Sequence, residues 1–379
     1  MNLVIDSSNN TSDGGKRYLL ELINNFNPNI SKIKKIIIWG SEHFLDLFPE
    51  KPFLEKCSHP LLNKGLLHKI IWNFYYKEKN LKTRCDILLV PYGNYLGNIK
   101  PYVCVSQNML YYEKNERSRF GFSYIRFKLY LSSLIQNKSI KNSSGVIFLS
   151  NYAKNKISSS IDIKHIPNNV INFGISSDFK NKPKIQKPIE TYSFENSFNL
   201  LYVSTIFPYK HHCKVVKAVS SLRKKGYAIN IKFIGSGDKN SVSKLERCID
   251  IHDPNNSFIH WKKNVSITNI KNYYHDADAF LFASSCENMP NILLEAMISG
   301  LPIISSCFQP MKEFLLNDAF YFDPTSKSDI QIQLEKFLND FKKRQSISDN
   351  NFINVQKYDW EKCSNNTFQF LEHIKVLDK

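Results

Sequence analysis

The sequence predicts an α/β protein with two doubly wound domains in tandem. Short, continuously apolar segments alternate with stretches of helical periodicity along most of the 379 residues. Strands that are apolar along their whole length are typical of parallel sheets covered by helices on both faces. The alternation is interrupted once, by the proline- and lysine-rich segment 181–197, which we interpret as a linker between two domains.

The first series of segments occupies residues 1–180, the predicted N-terminal domain. Apolar segments predict strands at 3–5, 35–39, 86–91, 102–106 and 145–150. Helical periodicity predicts helices at 17–26, 64–79 and 117–140. Because parallel strands need crossover connections, usually helical, this order predicts a single parallel sheet.

The second series occupies residues 198–357, the predicted C-terminal domain. Its apolar segments predict strands at 199–204, 229–235, 257–261, 279–285, 301–306 and 319–323. Helices are predicted at 210–225, 266–275, 290–299 and 326–342. An amphipathic pattern over 358–377 predicts a last helix, which makes 358–379 a separate C-terminal segment.

The composition indicates a folded protein with ample material for large cores, since 42% of the residues are hydrophobic. The eight cysteines form no CxxC pair, which favours buried free thiols over a metal or redox site. The sequence shows neither the pattern of a signal peptide nor an apolar segment long enough to span a bilayer. We therefore expect a cytoplasmic protein.

The chain is basic, with a net charge of +17, and the charge is unevenly distributed. Residues 1–180 hold 25 Lys and Arg against 13 Asp and Glu, whereas residues 181–379 hold 26 against 21. The excess in the first half indicates an anionic partner, unless it serves solubility alone. Nucleic acid, an anionic membrane and a phosphorylated substrate all fit this charge.

Two basic segments of the first half carry interleaved aromatic residues. Residues 117–141 contain six Lys or Arg and no acid, and residues 60–84 contain six Lys or Arg and one acid. Basic amphipathic segments of this kind lie on anionic membranes. In the alternative interpretation, the aromatic side chains belong to the core and the lysines form a solvated face. The sequence leaves both interpretations open.

Two glutamates, Glu287 and Glu295, stand in an otherwise apolar segment. Pro290 suits the start of a helix and Gly300 the position just past its end, so Glu287 precedes this helix and Glu295 lies in it. The loop follows a buried parallel strand, and ligands bind at the carboxyl ends of such strands. A buried carboxylate needs a partner, which is either a ligand hydroxyl or a lysine elsewhere in the protein.

Three further positions lie where strands end. Lys210 follows the strand at 199–204 and is either a ligand-binding cation or a solvated lysine at a helix start. Gly14 and Gly15 follow the first strand, where glycines let the backbone approach a ligand, although turns often contain them. Gly235 begins a lone GxG that lacks the third glycine of a dinucleotide fingerprint.

The spacing Glu287-x7-Glu295, with Pro290-Asn291 and LLEAM inside it, resembles the signature of the family 4 retaining glycosyltransferases. The resemblance spans nearly the whole chain, and this motif is its most specific part. It implies the GT-B fold, in which two Rossmann-like domains face each other across a cleft that holds the active site. It also implies that the C-terminal helix packs back toward the N-terminal domain, which would bind the acceptor.

The resemblance implies roles for the residues that match the family's motifs. The implied donor-sugar loop comprises Glu287, Asn288, Met289, Pro290 and Asn291. Glu295 would bind the ribose, and Lys210 would contact the donor diphosphate, which makes Glu287 and Lys210 the expected catalytic residues. Gly14 and Gly15 would lie against the donor phosphates, and Gly235 near the nucleotide.

The sequence departs from the family's pattern at three places. Asn288-Met289 replace a Gly-Phe pair. Ser204-Thr205 replace a Gly-Arg pair, so Thr205 would offer a hydroxyl where the family has a cation. Gln107-Asn108 stand where many members have a histidine, and we expect these two side chains to contact the donor sugar or the acceptor instead.

We therefore expect a hexosyltransferase that uses a GDP- or UDP-linked sugar, with a mannose-type sugar as one option. The resemblance implies a glycan or lipid-linked glycan acceptor, O-antigen, capsule or lipopolysaccharide synthesis, and a place at the inner face of the plasma membrane. It implies no metal and no cofactor besides the nucleotide sugar. Two alternatives remain: a GT-B sugar-nucleotide epimerase, which needs no acceptor, and a nucleic-acid-binding protein, which would leave both glutamates unexplained.

Overall fold

A computed structural model of the chain describes residues 1–8, 13–82 and 84–378. The described residues form two compact units. The first unit comprises Met1–Tyr112, Phe122–Gly174 and Tyr358–Lys379. The second unit comprises Glu113–Gly121 and Ile175–Lys357.

The strands and helices follow in the order that the sequence predicts. The strands are β1 (Asn2–Asp6), β2 (Lys35–Trp39), β3 (Leu54–Cys57), β4 (Ile87–Val90), β5 (Tyr102–Ser106), β6 (Gly145–Phe148), β7 (Asn168–Val170), β8 (Phe198–Val203), β9 (Ile229–Ile234), β10 (Ile259–Lys262), β11 (Ala279–Phe282), β12 (Ile303–Ser306) and β13 (Phe320–Phe322). The helices are α1 (Asp13–Asn24), α2 (Glu42–Leu45), α3 (Leu66–Ile71), α4 (Lys77–Lys82), α5 (Lys114–Ser118), α6 (Tyr124–Lys141), α7 (Asn151–Ser158), α8 (His212–Lys224), α9 (Lys239–His252), α10 (Ile267–Asp276), α11 (Asn291–Ile298), α12 (Met311–Leu315), α13 (Lys327–Asn339), α14 (Phe341–Asn354) and α15 (Trp360–Leu377).

In the described part of the first unit, seven parallel strands form one sheet in the order β3-β2-β1-β4-β5-β6-β7. The predicted strands of this half are confirmed within a few residues. The sequence does not predict β3 and β7, because their residues, LEKC and NNV, are mostly half-buried or exposed and not continuously apolar. The strand order reverses between β1 and β4, which is where a doubly wound sheet binds ligands.

The C-terminal helix α15 belongs to the first unit. The hydroxyl of Ser364 donates to the carbonyl of Leu22 in α1 at 2.9 Å, and Trp360 stacks on Phe173 with ring centroids 5.6 Å apart. A side chain at Gly145 would collide with Ile374 of α15. The last helix of the chain therefore completes the core that the first residues of the chain begin, as expected.

The helix predicted at 117–140 is interrupted, which corrects the prediction. The helix α5 ends at Ser118, and Gly121, three residues later, has a φ of +62°, a left-handed conformation that a continuous helix does not contain. Ser123 then starts α6, because its hydroxyl accepts a hydrogen bond from the amide of Arg126 at 3.3 Å. The break separates α5, which belongs to the second unit, from α6, which belongs to the first.

The second unit contains six parallel strands among its described residues, in the order β10-β9-β8-β11-β12-β13. Here the order reverses between β8 and β11, whose registered pairs are Ala279 with Leu200 and Phe280 with Leu201. Both units are thus parallel-sheet, Rossmann-like α/β domains, as the sequence predicts.

The segment 181–197, predicted as a linker, packs within the second unit. The amide of Asn181 donates to the carbonyl of Ile298 at 3.0 Å. The fully buried guanidinium of Arg344 donates to the carbonyl of Lys187 at 2.5 Å and to the side chain of Gln186 at 3.2 Å. This segment is therefore ordered by hydrogen bonds that join it to α11 and α14.

No helix in the described ranges is long and apolar enough to span a membrane.

The eight cysteines are all free, and four of them are buried: Cys104, Cys248, Cys286 and Cys363.

His212 joins the first turn of α8 to the end of β8. Its Nε2 lies 2.9 Å from the hydroxyl of Ser204, and its ring stacks on Tyr202 at 4.8 Å. Burial lowers the pKa of His212 to about 3, and the charge of Lys210 acts in the same direction. The folded state thus holds this imidazole neutral in the core.

We predict that Leu371→Ala lowers the free energy of unfolding by about 2–5 kcal/mol, because this side chain of α15 is fully buried. Val376→Ala, in the same helix but 58% exposed, should change it by less than about 0.5 kcal/mol. Urea denaturation measures both variants. Equal effects of the two substitutions would contradict the packing of α15 in the first unit.

We predict that stability decreases as the pH falls from 6.5 toward 3. The unfolded chain takes up a proton on His212 below pH 6.5, whereas the folded protein does so only near pH 3. A substitution of His212 removes this difference in proton uptake. It should therefore reduce the slope of the free energy of unfolding against pH by up to about 1.4 kcal/mol per pH unit. Denaturation between pH 6.5 and 4.5 should therefore give a shallower slope for His212→Gln, while the exposed His43→Gln keeps the wild-type slope. An unchanged slope in His212→Gln would refute this account.

Candidate functional site

An ion pair lies where the strand order of the second unit reverses. Nζ of Lys210 and Oε1 of Glu287 are in direct contact. Lys210 follows β8 and Glu287 follows β11, so both stand at the carboxyl ends of neighbouring parallel strands. Their side chains are only 5% and 15% exposed. The sequence identified both residues, and the structure brings them together although 77 positions separate them.

The backbone holds Lys210 in place before α8 begins. A 3₁₀ turn covers Pro208–Lys210, and the next residue, His211, has a φ of +50°. The buried hydroxyl of Tyr202 in β8 donates to the carbonyl of Lys210 at 2.7 Å. The ammonium lies 5.3 Å from the ring centre of Tyr209 and 5.2 Å from that of Phe282. These contacts aim the ammonium at the loop after β11.

A buried polar network centred on Ser285 supports this turn. The amide of Ser285 donates to the carbonyl of Tyr209 at 2.9 Å, and its hydroxyl lies 2.8 Å from Nε2 of His211. The hydroxyl also contacts the carboxylate of Glu116, which accepts a hydrogen bond from Nε of Arg119 at 2.7 Å. The residues on both sides of Lys210 are therefore fixed to the loop that carries Glu287.

Sequence reasoning missed Glu116 and Ser285. Glu116 and Arg119 have the spacing of an ordinary surface pair on a helix, and Ser285 is a small residue in an apolar segment. One signal was available, since Glu113 and Glu116 are the only acids between 87 and 161. Burial lowers the pKa of His211 to about 4, so at neutral pH this imidazole is uncharged where its Nε2 meets the hydroxyl of Ser285.

The loop 287–291 leads directly into α11. The helix begins at Asn291, with Pro290 as its N-cap, and ends before Gly300, which has a φ of +66°. Asn288 and Met289 are buried. The side-chain oxygen of Asn291 is buried without a hydrogen-bond partner among the described residues. Backbone amides at the start of a helix of this length point outward and attract anions.

Glu295 lies in the second turn of α11 and is 7% exposed. The hydroxyl of Tyr274, in α10, donates to its Oε2 at 2.9 Å. Tyr274 is itself fully buried and packs edge to face against Phe179. The protein thus supplies Glu295 with a tyrosine hydroxyl as a partner, a residue type that the sequence did not suggest.

Gly235 and Thr205 lie together at the ends of β9 and β8. Gly235 has a φ of +137°, and a side chain there would collide with the carbonyl of Ser204. Gly237 meets the carbonyl of Ile206 in the same way. The two glycines of this GxG therefore let two parallel backbone segments approach closely, which is a packing requirement. Thr205 is exposed at this close approach.

The predicted contacts of the first unit lie near its own strand-order reversal. Gly14 and Gly15 stand in the first turn of α1, and a side chain at Gly15 would collide with Tyr92, just after β4. Gln107 donates to the carbonyl of Pro91 at 2.8 Å, and Asn108 accepts from the amide of Leu110 at 3.0 Å. Residues 9–12, which precede Gly14 and Gly15 in the sequence, lie outside the described residues.

The first unit also contains a buried ion pair that the sequence did not predict. Lys77 of α4 contacts Asp6, the last residue of β1, and both side chains are almost fully buried. Asp6 accepts a hydrogen bond from the amide of Ser8 at 3.2 Å, and Lys77 lies 5.2 Å from the ring centre of Tyr95. Charged groups are thus buried at the carboxyl edge of each sheet.

Comparison with known sequences finds one family model and several glycosyltransferase relatives. Residues 184–352 match the family model of the glycosyl transferases group 1. The chain is 27% identical over 199 residues to an uncharacterized glycosyltransferase of Haemophilus influenzae, a match that covers 52% of this chain and 53% of that protein. It is 24% identical over 298 residues to the capsular polysaccharide biosynthesis glycosyltransferase CapM of Staphylococcus aureus, covering 76% and 74%. The chain therefore spans about half the length of the first of these relatives.

Comparison with solved structures concerns the fold. Sucrose-phosphate synthase from Thermosynechococcus elongatus superimposes with a TM-score of 0.77 at 12% identity, covering 100% of both chains. WaaG, a glycosyltransferase involved in lipopolysaccharide biosynthesis, superimposes with a TM-score of 0.70 at 14% identity, covering 98% of this chain and 99% of WaaG. The chain thus has the fold of the GT-B glycosyltransferases, and the stretch of its second unit from 184 to 352 is similar to the glycosyl transferases group 1.

Proposed function

We propose that the protein is a retaining glycosyltransferase that moves a sugar from a nucleoside diphosphate to a glycan hydroxyl. The observation that carries the proposal is the buried pair of Lys210 and Glu287 at the strand-order reversal of the glycosyltransferase group 1 domain. This position offers a cation and a carboxylate to one ligand. A nucleotide sugar has the matching groups, an anionic diphosphate and a ring of hydroxyl donors.

Donor binding would exchange the partners of this pair. The diphosphate would take the ammonium of Lys210, and sugar hydroxyls would donate to Glu287, so each charge keeps a partner. The amides at the start of α11, at 288–291, would add positive potential beside the phosphates. Glu295, held by Tyr274, would accept the ribose hydroxyls. Thr205 and Gly235 would border the nucleotide.

In the reaction, the bond between the anomeric carbon and the diphosphate oxygen breaks while the acceptor hydroxyl oxygen bonds to the same face of that carbon. The proton of the acceptor passes to the departing phosphate, and the anomeric configuration is retained. Lys210 and the amides of 288–291 would stabilise the negative charge that develops on the diphosphate. These groups supply the positive charge within the chain, so the proposal needs no metal.

We propose that the first unit binds the acceptor and that the product is a surface polysaccharide. The similarity to CapM supports a place in capsule or related polysaccharide synthesis. Gly14, Gly15, Gln107 and Asn108 are the proposed contacts of the first unit. A UDP- or GDP-linked sugar, including a mannose-type one, and a lipid-linked acceptor at the inner face of the plasma membrane belong to the same proposal.

We predict that one class of nucleotide sugar raises the melting temperature of the protein. A donor at 100 times its dissociation constant adds about 2.7 kcal/mol to the free energy of unfolding. Lys210→Gln should weaken donor binding about 10- to 100-fold, because it removes a charged hydrogen bond to the diphosphate. Thermal-shift titrations with UDP-, GDP- and other nucleotide sugars measure both effects.

Lys214→Gln is the matched control, since Lys214 is exposed on α8 one turn after Lys210. Lys214→Gln should keep the donor-induced increase in melting temperature seen for the wild-type protein, whereas Glu295→Gln should lose much of this increase. The donor site would be refuted if no nucleotide sugar shifts the wild-type protein. Full shifts in both Lys210→Gln and Glu295→Gln would refute it equally.

We predict a positioning effect for Glu116, which would act through Ser285 on the turn that carries Lys210. Glu116→Gln keeps an acceptor for Ser285 but removes the charge beside Arg119, so donor affinity should fall about tenfold while the protein stays folded. Lys114→Gln, at an exposed position of α5, should leave donor affinity unchanged. Equal donor affinities of the two variants would show that Glu116 has no such effect.

A further inference from the structure

Helix α6 of the first unit buries a polar face. Its buried residues are Ser133, Gln136, Ser139 and Ile140. The amide of Gln136 donates to the carbonyl of Tyr92 at 3.2 Å, and the hydroxyl of Ser139 donates to the carbonyl of Tyr95 at 2.6 Å. Hydrogen bonds to the segment 92–95 therefore help to hold the helix to the first unit, together with the buried side chain of Ile140.

Several large apolar side chains of α6 are exposed along one side of the helix. Tyr124 is 70% exposed, Phe127 58%, and Leu131 and Leu134 are nearly half exposed. These four residues have the 3-4-3 spacing of one helical stripe. Phe122, just before the helix, is fully exposed, and Tyr130 lies beside the stripe. Single exposed apolar residues are ordinary, but a continuous stripe of them marks an interaction surface.

The charge around this stripe has one sign. Residues 117–141 contain six Lys or Arg and no acid, and Lys128, Lys138 and Lys141 are exposed on α6 itself. A second segment of the same unit repeats the combination of apolar exposure and charge. Leu67, Ile71, Tyr75 and Tyr76 are exposed there, between Lys64 and Arg84. Most of these aromatic side chains therefore lie at the surface and not in the core, although Trp72 is fully buried.

We propose that the exposed face of α6, formed by Phe122, Tyr124, Phe127, Leu131 and Leu134 with the surrounding lysines, docks on an anionic lipid bilayer. Aromatic rings and leucines enter the interfacial layer, and lysines meet the anionic headgroups. Nucleic acid would match the charge and stack on the aromatic rings, but it offers nothing to the leucines in the stripe. A second copy of the chain would bring the same positive charge to the contact.

This inference deepens the proposed function, because a lipid-linked acceptor places the reaction at a membrane. Binding to vesicles nevertheless needs neither donor nor acceptor. Failure of vesicle binding with an intact donor-induced thermal shift would therefore refute the docking face alone, whereas the reverse result would refute the donor site alone.

The test is co-sedimentation of the full chain with vesicles of phosphatidylcholine, with and without phosphatidylglycerol. The wild-type protein should bind the anionic vesicles, and binding should weaken as salt increases. The double variant Phe127→Ser, Leu131→Ser should bind at least tenfold more weakly, and Lys128→Glu about fivefold or more. The substituted side chains are exposed, so thermal melting should confirm that each variant is folded.

The matched control is Ile353→Ser, which removes an exposed apolar side chain of α14 in the second unit and should leave vesicle binding unchanged. The docking face is wrong if the wild-type protein ignores anionic vesicles, or if the double variant binds them as the control does. It is also wrong if the double variant abolishes self-association seen by light scattering, or binding to a DNA or RNA oligonucleotide, without changing vesicle binding.

Discussion

The second unit is organised around the cost of keeping two charges out of water. Lys210 and Glu287 are almost buried, and removing one partner of such a pair commonly costs about 3–5 kcal/mol. The surrounding structure keeps the pair together. Tyr202 holds the carbonyl of Lys210, and Ser285 fixes the carbonyl of Tyr209 to the loop after β11. Because the pair sits at the carboxyl ends of β8 and β11, the order of the sheet determines where the charges meet.

A short segment from the first half of the chain contacts the same region. The segment Glu113–Gly121 lies in sequence between elements of the first unit, yet it folds with the second. Its Glu116 contacts Ser285, and its Phe120 packs near Phe207 with ring centroids 5.7 Å apart. Gly121 lies between α5 and α6 in a left-handed conformation, which redirects the chain before the new helix begins in the first unit. Gly121 thus separates two neighbouring helices that belong to different units, α5 to the second and α6 to the first.

Helix α6 is attached to the first unit by side-chain hydrogen bonds, while several of its large apolar side chains stay exposed. Most soluble helices bury their apolar stripe because its burial stabilises the fold. In α6, serine and glutamine side chains bond to backbone carbonyls, and these bonds attach the helix to its unit. The side chains of Tyr124, Phe127, Leu131 and Leu134 are exposed among lysines. On α6, polar side chains are thus buried while aromatic ones are exposed, which is the reverse of the usual pattern. For this reason the sequence alone could not show whether these aromatic residues lie in the core or at the surface.

The sequence by itself determined the fold class, the order of most strands and helices, and the candidate pair Lys210 and Glu287. Apolar runs and caps are local signals, so they can be read without knowing what packs against them. Only the tertiary structure decided that Glu116 contacts Ser285, 169 positions away, and that Tyr274 donates to Glu295. It also decided that the apolar stripe of α6 is exposed. These features depend on sheet order and on which helix face finds a partner, and such long-range pairings leave no periodic pattern in the chain.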